Sequence, residues 1–229
     1  MRFMIKKFYK KEINKILLTL KNDGIVLIDN LKSKNDIIRL SKKIGRIYFH
    51  PHSNHNGITY INNKGIDNRR VDSGFKNNKL LLHTDRGITE GGKPPKYLIL
   101  YCRTQSRKGG ENILSDGYKF IKSIKKYKYL YNYLRNNNKL IYNNGIEIYK
   151  KSIIKKIKQN YILRIYLDKR VVKNSLFYKN IKLISHILYS HSVKIKLKKN
   201  QAIILNNWRW IHGRDSFYGN REILRILIK

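Results

Sequence analysis

Short apolar segments bounded by turn-forming residues recur along this chain of 229 residues and constrain its fold more than any other feature. Segments of this length, rich in Ile, Leu and Tyr, are typical of buried β-strands. Strands are predicted at residues 25–28, 80–85, 97–103, 112–115, 161–167, 193–197, 202–206 and 221–228. Because helical patterns flank these segments instead of alternating with them, the sequence favours a mainly β protein with flanking helices and a β-sandwich or jelly-roll core.

Helical spacing of apolar residues predicts four helices. Residues 10–20 carry apolar side chains on one helical face, and Ser33 is predicted to be the N-cap of a second helix that ends at Gly45. Two further helices are predicted at residues 118–134 and 175–191.

No linker or internal repeat divides the chain, and its length fits one domain with an ample core. We therefore predict a single domain over residues 1–229, with an N-terminal cap of helix and strand at residues 1–48 and a core at residues 80–229. Residues 49–79 between them are rich in Asn, Gly and Ser and are predicted to be dominated by loops. Irregular segments of this length are usually functional or mobile.

Basic residues dominate the charge of the chain, with 51 Lys and Arg against 14 Asp and Glu and a formal net charge of +37. Such a charge usually indicates nucleic acid or an anionic membrane as a partner. Base composition offers another explanation, because Lys, Asn, Ile and Tyr, which have AT-rich codons, are abundant while alanine occurs once, at Ala202. The lysines are also dispersed instead of clustered. We therefore attribute much of the charge to base composition and expect no nucleic-acid partner from it.

Other features of the sequence exclude whole classes of protein. The single cysteine, Cys102, excludes an internal disulfide framework and a cysteine-only zinc site. No apolar run approaches the roughly 18 residues that span a bilayer. The basic region at residues 1–21 lacks an uninterrupted apolar stretch and a small-residue cleavage site. The sequence thus predicts a soluble cytoplasmic protein without a membrane partner, and it leaves the oligomeric state open.

The triplet His83-Thr84-Asp85 is the first candidate for chemistry. On a strand, residues two apart point to the same face, so an imidazole and a carboxylate would project together. A third ligand, for which His212 is the best candidate, would complete the set of two His and one carboxylate expected of non-haem Fe(II) oxygenases. Taken alone, however, a His-x-Asp triplet fits a solvated turn after a strand at least as well.

Five segments in a fixed order carry a resemblance to a known family. They are Leu82-His83-Thr84-Asp85, Pro94-Pro95 with the apolar strand after it, residues 109–117, residues 206–214 and Arg221-Glu222-Ile223-Leu224-Arg225. Their order and spacing resemble the taurine dioxygenase (TauD/TfdA-like) superfamily of Fe(II)- and 2-oxoglutarate-dependent oxygenases. The segment 206–214 is also similar to the γ-butyrobetaine and trimethyllysine hydroxylase branch, where Asn-Trp-Arg and His-Gly-Arg recur. The resemblance extends from about Gly24 to the end of the chain.

The resemblance implies a fold and a metal site. The fold would be a double-stranded β-helix, which is a jelly-roll core, and His83, Asp85 and His212 would be the catalytic iron ligands. Compared with the family, residues 118–199 form a short stretch, which predicts a reduced lid over the core. Because related halogenases lack the carboxylate, the presence of Asp85 argues for hydroxylation or another oxidation.

The resemblance also implies roles for three polar residues. Arg221 matches the arginine that pairs with the distal carboxylate of 2-oxoglutarate, for which a planar guanidinium is suited. Asn112 stands where the family often has a Thr that contacts the same carboxylate, and an amide can donate a similar hydrogen bond. Arg225, expected on a strand and on the same side as Arg221, matches a position that often contacts an anionic group of the substrate.

The function implied is oxidation, by hydroxylation or desaturation, of a small polar metabolite or biosynthetic intermediate. Fe(II) would be the cofactor and 2-oxoglutarate and O2 the co-substrates, with succinate and CO2 released. An alternative from another class is a catalytically inactive basic binding protein on the same fold that contacts nucleic acid or an acidic partner.

Several other residues invite a functional interpretation. His50, His52 and His55 could form a second metal site, although surface histidines in loops are more common, and one of them could face the substrate. Arg214, close to His212, fits a functional role or a structural ion pair. Arg86, directly after Asp85, could face the cavity or the solvent.

Overall fold

In the part of the chain that the structure describes, strands outnumber helices, as the apolar segments predict. This computed structural model describes residues 4–62, 73–87, 92–136, 141–143, 148–168, 172–173 and 175–229. The helices are α1 (Ile13–Asn22), α2 (Lys34–Ile44), α3 (Gly117–Ile124), α4 (Lys128–Arg135) and α5 (Ser175–Ser190), with a 3₁₀ helix at Ser73–Phe75. The strands are β1 (Lys7–Tyr9), β2 (Ile25–Asp29), β3 (Ile47–Tyr48), β4 (Ile58–Asn62), β5 (Leu80–His83), β6 (Tyr97–Thr104), β7 (Lys108–Gly109), β8 (Asn112–Asp116), β9 (Ile141–Asn143), β10 (Ile148–Lys150), β11 (Ile154–Ile157), β12 (Asn160–Leu163), β13 (Val172–Lys173), β14 (Ser192–Ile195), β15 (Ala202–Asn206), β16 (Trp210–Arg214), β17 (Phe217–Tyr218) and β18 (Glu222–Ile228).

Two sheets form the centre of the fold. The larger has seven strands in the order β1-β2-β15-β6-β18-β3, with β4 also paired to β18. The smaller has four strands in the order β14-β8-β16-β5, and its pairs are antiparallel. One apolar cluster contains side chains from both sheets, among them Leu98, Leu114, Ile203 and Trp210. The sheets therefore share a core, as in a β-sandwich or jelly roll.

The central strands of the large sheet are buried on both faces. Ile203 and Leu205 of β15 pack into the core shared with the small sheet. Ile204 packs into a second cluster, in which Ile16 of α1 and Leu40 of α2 cover the opposite face. Because neither face is exposed to water, these strands are continuous apolar runs and not alternating patterns.

Residues 49–79, which are predicted to be dominated by loops, contain regular structure in two places. Residues 58–62 form β4, which pairs with β18 along its whole length, and residues 73–75 form a 3₁₀ helix. The polar composition concealed β4 because two of its five residues, Thr59 and Asn62, are polar. Residues 63–72 of the predicted loop lie outside the described residues.

The predicted helix at residues 118–134 is two helices, α3 and α4, separated by a turn. Helix α3 buries Phe120 and Ile124, whereas α4 buries Leu130 and Leu134. Both helices contribute these side chains to one apolar cluster, so the turn joins two segments of the same core. Within the described residues, no helix has the length and apolar character needed to cross a membrane.

A salt bridge fixes the segment that leads into β16. Arg209 donates two hydrogen bonds to Asp116, from Nε to Oδ1 at 3.0 Å and from Nη2 to Oδ2 at 2.9 Å. Its Nη1 donates to the carbonyl of Asn22 at 3.0 Å, and its guanidinium lies 4.5 Å from the ring centre of Tyr118. The ends of α1, α3 and β16 are therefore joined through one side chain, and β16 contains His212.

Candidate active site

Strand register places two of the predicted metal ligands next to each other. Strands β5 and β16 are antiparallel neighbours, and His83 is directly opposite His212. Their ring centroids are 4.3 Å apart. On its other side β16 pairs with β8, so His212 lies inside the sheet and is buried.

Asp85 also lies close to the two histidines, but the backbone that carries it is not the strand that the sequence predicts. Strand β5 ends at His83, so Asp85 lies in a turn and not on a strand. The expectation that strand alternation brings the two side chains together is therefore wrong, because the extended strand ends before Asp85. The side chains still converge, since Asp85 Oδ1 lies 3.8 Å from His83 Nε2.

The backbone of Arg86 has a φ of +55°, which is in the left-handed region and ends the extended path of β5. The main chain before it is held by Thr84, whose N–H donates to the carbonyl of Ile165 at 3.0 Å and whose Oγ1 accepts from the N–H of Ile165 at 3.2 Å. The turn that carries Asp85 is thus anchored on a neighbouring segment and not on the ladder of the small sheet.

One ligand atom from each of His83, Asp85 and His212 lies within 4.8 Å of the others. Asp85 Oδ2 is 3.9 Å from His212 Nε2, and its Oδ1 is the oxygen near His83. Because bonds from imidazole nitrogen or carboxylate oxygen to a divalent metal are about 2 Å long, three such atoms can reach one ion. Two His and one carboxylate form the facial set that leaves other coordination positions open.

The hydrogen bonds around these side chains test whether a metal fits. Asp85 Oδ2 is buried and has no hydrogen-bond partner among the described residues, although a buried polar atom is normally satisfied. His83 Nδ1 lies 2.9 Å from the carbonyl of Leu81, so a proton on Nδ1 would leave the Nε2 lone pair directed at the centre. The donor set and the unsatisfied oxygen therefore fit a divalent metal such as iron.

The electrostatics keep the site ready for a cation. Burial acts to raise the pKa of Asp85, but the charge of Arg225, together with His212 and His83, outweighs it and lowers the pKa to about 2. Burial, together with the ring of His83, lowers the pKa of His212 to about 3. At neutral pH the metal-free site therefore holds an ionised carboxylate and a neutral His212, which are the forms that bind metals.

We expect the metal-free protein to lose stability as the pH falls below about 6.5. The folded-state pKa of His212 lies below that of an unfolded imidazole, so the unfolded chain binds the proton first. The stabilisation is complete above the unfolded pKa and is lost as the pH falls toward 3. Urea unfolding at pH 7, 6 and 5 should show a loss of up to about 1 kcal/mol per pH unit, with a smaller slope in His212→Asn. The exposed His55→Asn variant is the control, and equal slopes in all three proteins would contradict the prediction.

Arg225 of β18 lies against the metal-ligand group. Its Nη1 donates to Asp85 Oδ1 at 3.1 Å, and its Nε is buried without a hydrogen-bond partner among the described residues. His50 is part of the same surroundings, since burial, Arg225 and Arg86 lower its pKa to about 4. Arg86 Nη2 donates to the hydroxyl of Tyr48 at 3.3 Å. Arg225 and Arg86 are therefore both close enough to His50 to disfavour its protonation.

Arg221 is buried just before β18, and a register shift between residues 222 and 223 separates it from the regular strand. Its guanidinium lies 5.5 Å from the ring centre of Phe217. Burial lowers its pKa to about 10, so it remains charged at neutral pH. Gly110, with φ of +79°, lies next to Arg221, and a Cβ there would lie only 2.6 Å from Ser106 Oγ.

Arg214 has a structural role, but main-chain oxygens hold its side chain and not the ion pair considered from the sequence. Its guanidinium donates to the carbonyl oxygens of Gly74, Lys76 and Asn78. Burial and the charge of Arg221 lower its pKa to about 10. One buried side chain therefore holds the main chain of residues 74–78 in place.

The remaining candidates divide between the site and the surface. Asn112 is buried on β8, and its Nδ2 donates to the carbonyl of Ile195 at 3.3 Å, so its predicted contact with 2-oxoglutarate stays a prediction. Within the part of the chain that the structure describes, His50, His52 and His55 do not form a metal-binding group. Burial and the charges of Arg225 and Arg86 lower the pKa of His50.

Two residues without a predicted individual role also belong to the site. Asn207 is buried and bonds to the main chain of Asp85 on both sides. Tyr166 forms a β-bridge with His83, its hydroxyl accepts a hydrogen bond from the N–H of Gly87 at 3.2 Å, and burial raises its pKa. Proximity to Asp85 in the sequence could not reveal either residue, because both are far from it along the chain.

The fold and the ligand group define a family. Residues 5–129 match the model of the taurine catabolism dioxygenase TauD, TfdA family, which is more than half of the chain. The chain belongs to this family, as the sequence motifs predict.

Two curated relatives share the same name. Gamma-butyrobetaine dioxygenase from Homo sapiens is 26% identical over 243 residues, which covers 96% of this chain and 59% of that protein. The protein of that name from Pongo abelii gives the same values. The chain thus spans less than two thirds of the length of these relatives.

Solved structures share the fold at low sequence identity. An asparagine oxygenase in complex with Fe(II), 2S,3S-3-hydroxyasparagine and succinate has a TM-score of 0.71 and 10% identity, covering 96% of this chain and 78% of that one. An Fe, alpha-ketoglutarate dependent oxygenase from an isonitrile synthetic pathway has a TM-score of 0.73 and 14% identity, covering 96% and 82%. A taurine dioxygenase from Burkholderia xenovorans has a TM-score of 0.69 and 13% identity, covering 95% and 81%. The predicted mainly β jelly-roll fold is confirmed.

Proposed function

We propose that this protein is an Fe(II)- and 2-oxoglutarate-dependent oxygenase that oxidises a small polar molecule. The proposal rests on the grouping of ligand atoms from His83, Asp85 and His212. In this group the buried Oδ2 of Asp85 has no hydrogen-bond partner among the described residues. Family membership supports the same activity. The intact ligand set argues against the alternative of an inactive basic binding protein.

The residues of the chain have separate tasks in this proposal. His83, Asp85 and His212 would hold Fe(II) and leave coordination positions open. Arg221 would bind the distal carboxylate of 2-oxoglutarate, since a buried guanidinium can form two parallel hydrogen bonds to it. Asn112 would donate a further hydrogen bond to that carboxylate. When bound, iron with O2 would supply the chemistry that couples decarboxylation of 2-oxoglutarate, to succinate and CO2, to oxidation of a substrate C–H bond.

A small polar substrate with an anionic group fits the surroundings of Asp85. Arg225 uses Nη1 for Asp85, and its buried Nε–H remains available for an acceptor on a substrate. A bound metal would compete with Arg225 for the charge of Asp85, so an anion beside the guanidinium would restore the balance. Among solved structures of this fold, an asparagine oxygenase holds 3-hydroxyasparagine and a non-heme iron oxygenase holds 3-hydroxyarginine.

An anaerobic titration tests the proposal. Addition of Fe(II) and then 2-oxoglutarate to the purified protein should produce the weak visible charge-transfer band of a chelated complex. The band should disappear in His212→Ala and Arg221→Ala and persist in His186→Ala, which removes an exposed histidine. A folded wild-type protein that gives no band would contradict the proposed function.

The organisation of the chain as one domain with a reduced lid, and its cytoplasmic location, stay predictions. The absence of a nucleic-acid partner is a prediction of the same kind.

A further inference from the structure

The side chain of Asn207 forms three hydrogen bonds, two of them to the metal-ligand turn. Its Oδ1 accepts from the N–H of Asp85 at 2.9 Å, and its Nδ2 donates to the carbonyl of Asp85 at 2.8 Å. The same Nδ2 donates to the carbonyl of Pro95 at 2.9 Å. The residue is fully buried, so water does not compete for these bonds.

Asp85 needs such a partner because it lies beyond the end of β5. A residue inside a strand is held by the ladder on both sides, whereas Asp85 is followed by Arg86 in a left-handed conformation. Asn207 bonds to the N–H and the C=O of Asp85 together, as a neighbouring strand would. The amide therefore replaces the missing ladder at the residue whose carboxylate faces the two histidines.

The position of Asn207 in the chain links two ligands. It lies in the turn between β15 and β16, and β16 carries His212. The main-chain N–H of Asn207 donates to the carbonyl of Lys96 at 2.7 Å, so the turn is fixed on its outer side as well. If Asp85 moved relative to His212, the hydrogen bonds between Asp85 and the turn that precedes β16 would have to break.

We propose that Asn207 is a positioning residue for the metal centre, which fixes the main chain of Asp85 so that its carboxylate faces the histidine nitrogens. This inference rests on the proposed function, because it takes Asp85 as a metal ligand. Side chains that orient metal ligands from outside typically change metal affinity by about 10- to 100-fold when they are removed.

A purely structural role for Asn207 is the competing explanation, and Trp208 provides a matched control. Trp208 Nε1 donates to the carbonyl of Pro94 at 2.8 Å, so it ties the same segment to the turn next to Pro95. Trp208→Phe removes this one hydrogen bond and leaves the bonds between Asn207 and Asp85 in place. Loss of segment stability alone should affect both variants, whereas loss of positioning should affect only Asn207 variants.

The experiment measures Co(II) affinity through its visible d–d absorption, together with urea unfolding of the metal-free proteins. Asn207→Ala should bind Co(II) about 10- to 100-fold more weakly than the wild type, and Trp208→Phe should stay near the wild type. Asn207→Ser, whose hydroxyl can keep one bond to Asp85, should be intermediate. If Asn207→Ala does not fold, Asn207→Ser is compared with Trp208→Phe in its place.

The outcomes separate the inference from the proposed function. A folded wild-type protein that binds no Co(II) would reject the metal centre itself. Wild-type binding with an unchanged affinity in the folded Asn207 variant would reject the positioning role alone. Equal losses of affinity in the Asn207 variant and Trp208→Phe would also reject it, because a general loosening of the segment would then explain both.

Discussion

Replacement of Asp85 with alanine is expected to lower Fe(II)-dependent turnover of 2-oxoglutarate by at least about a thousandfold, because a metal centre contributes several kcal/mol to the reaction it supports. The variant removes the one negative ligand of the group and leaves two imidazoles, which hold a divalent ion far more weakly. It also leaves the buried Arg225 without the carboxylate at 3.1 Å. Succinate formation under saturating Fe(II) and 2-oxoglutarate measures the effect.

A matched control separates the loss of the ligand from the loss of a charge. Asp29→Asn removes a carboxylate on β2 that pairs with Lys7 at 3.3 Å near the surface, and it should leave turnover close to the wild-type value. Co(II) binding should fall in Asp85→Ala and stay unchanged in Asp29→Asn. Full turnover by a folded Asp85→Ala protein would show that the iron site has been assigned to the wrong residues.

Replacement of Arg221 with leucine is expected to raise the KM for 2-oxoglutarate by at least about a hundredfold. Each hydrogen bond between charged groups contributes about 1.5–3 kcal/mol, and about 1.4 kcal/mol corresponds to a factor of ten. The guanidinium is buried, so water cannot take over the role of the missing donor. Arg221→Lys keeps the charge but loses the planar pair of donors and should give an intermediate KM. Initial rates of succinate formation over a range of 2-oxoglutarate concentrations provide the measurement.

The control for this prediction is an arginine in the adjacent strand. Arg103 of β6 is exposed, and its Nη1 lies 3.1 Å from Oε2 of Glu222. Glu222 follows Arg221 directly in the sequence. Arg103→Gln should change the KM for 2-oxoglutarate little, because exposed ion pairs contribute little. A KM in Arg221→Leu equal to that in Arg103→Gln would remove Arg221 from the proposed binding site.

The strands and the candidate ligands could be predicted because their signals are local. Ile203-Ile204-Leu205 is apolar without interruption, and such a short run is typical of a strand buried on both faces. The family resemblance then identified His83, Asp85 and His212 as ligands, and the structure brings them together. In contrast, β4 was missed because its polar residues hide a strand that depends on pairing with β18.

The environment of each charged side chain could not be predicted in the same way. Arg225 was assigned to a substrate, and the structure adds its hydrogen bond to Asp85. Arg214 was considered for an ion pair and instead bonds to main-chain carbonyls of residues 74–78. Such partners lie far away in the chain, and charge or spacing contains no information about which of them a long side chain will reach.

Local patterns were therefore sufficient for the central apolar strands, because a continuous apolar run is a signal contained in a few residues. The register that sets His83 opposite His212 has a different origin, because it depends on how β5, β8 and β16 pair across the whole small sheet. The approach of Asp85 depends on a turn held by Asn207, a residue from a distant segment. Three-dimensional packing created the site, because the hydrogen bonds that orient its ligands join segments that meet only in the folded chain.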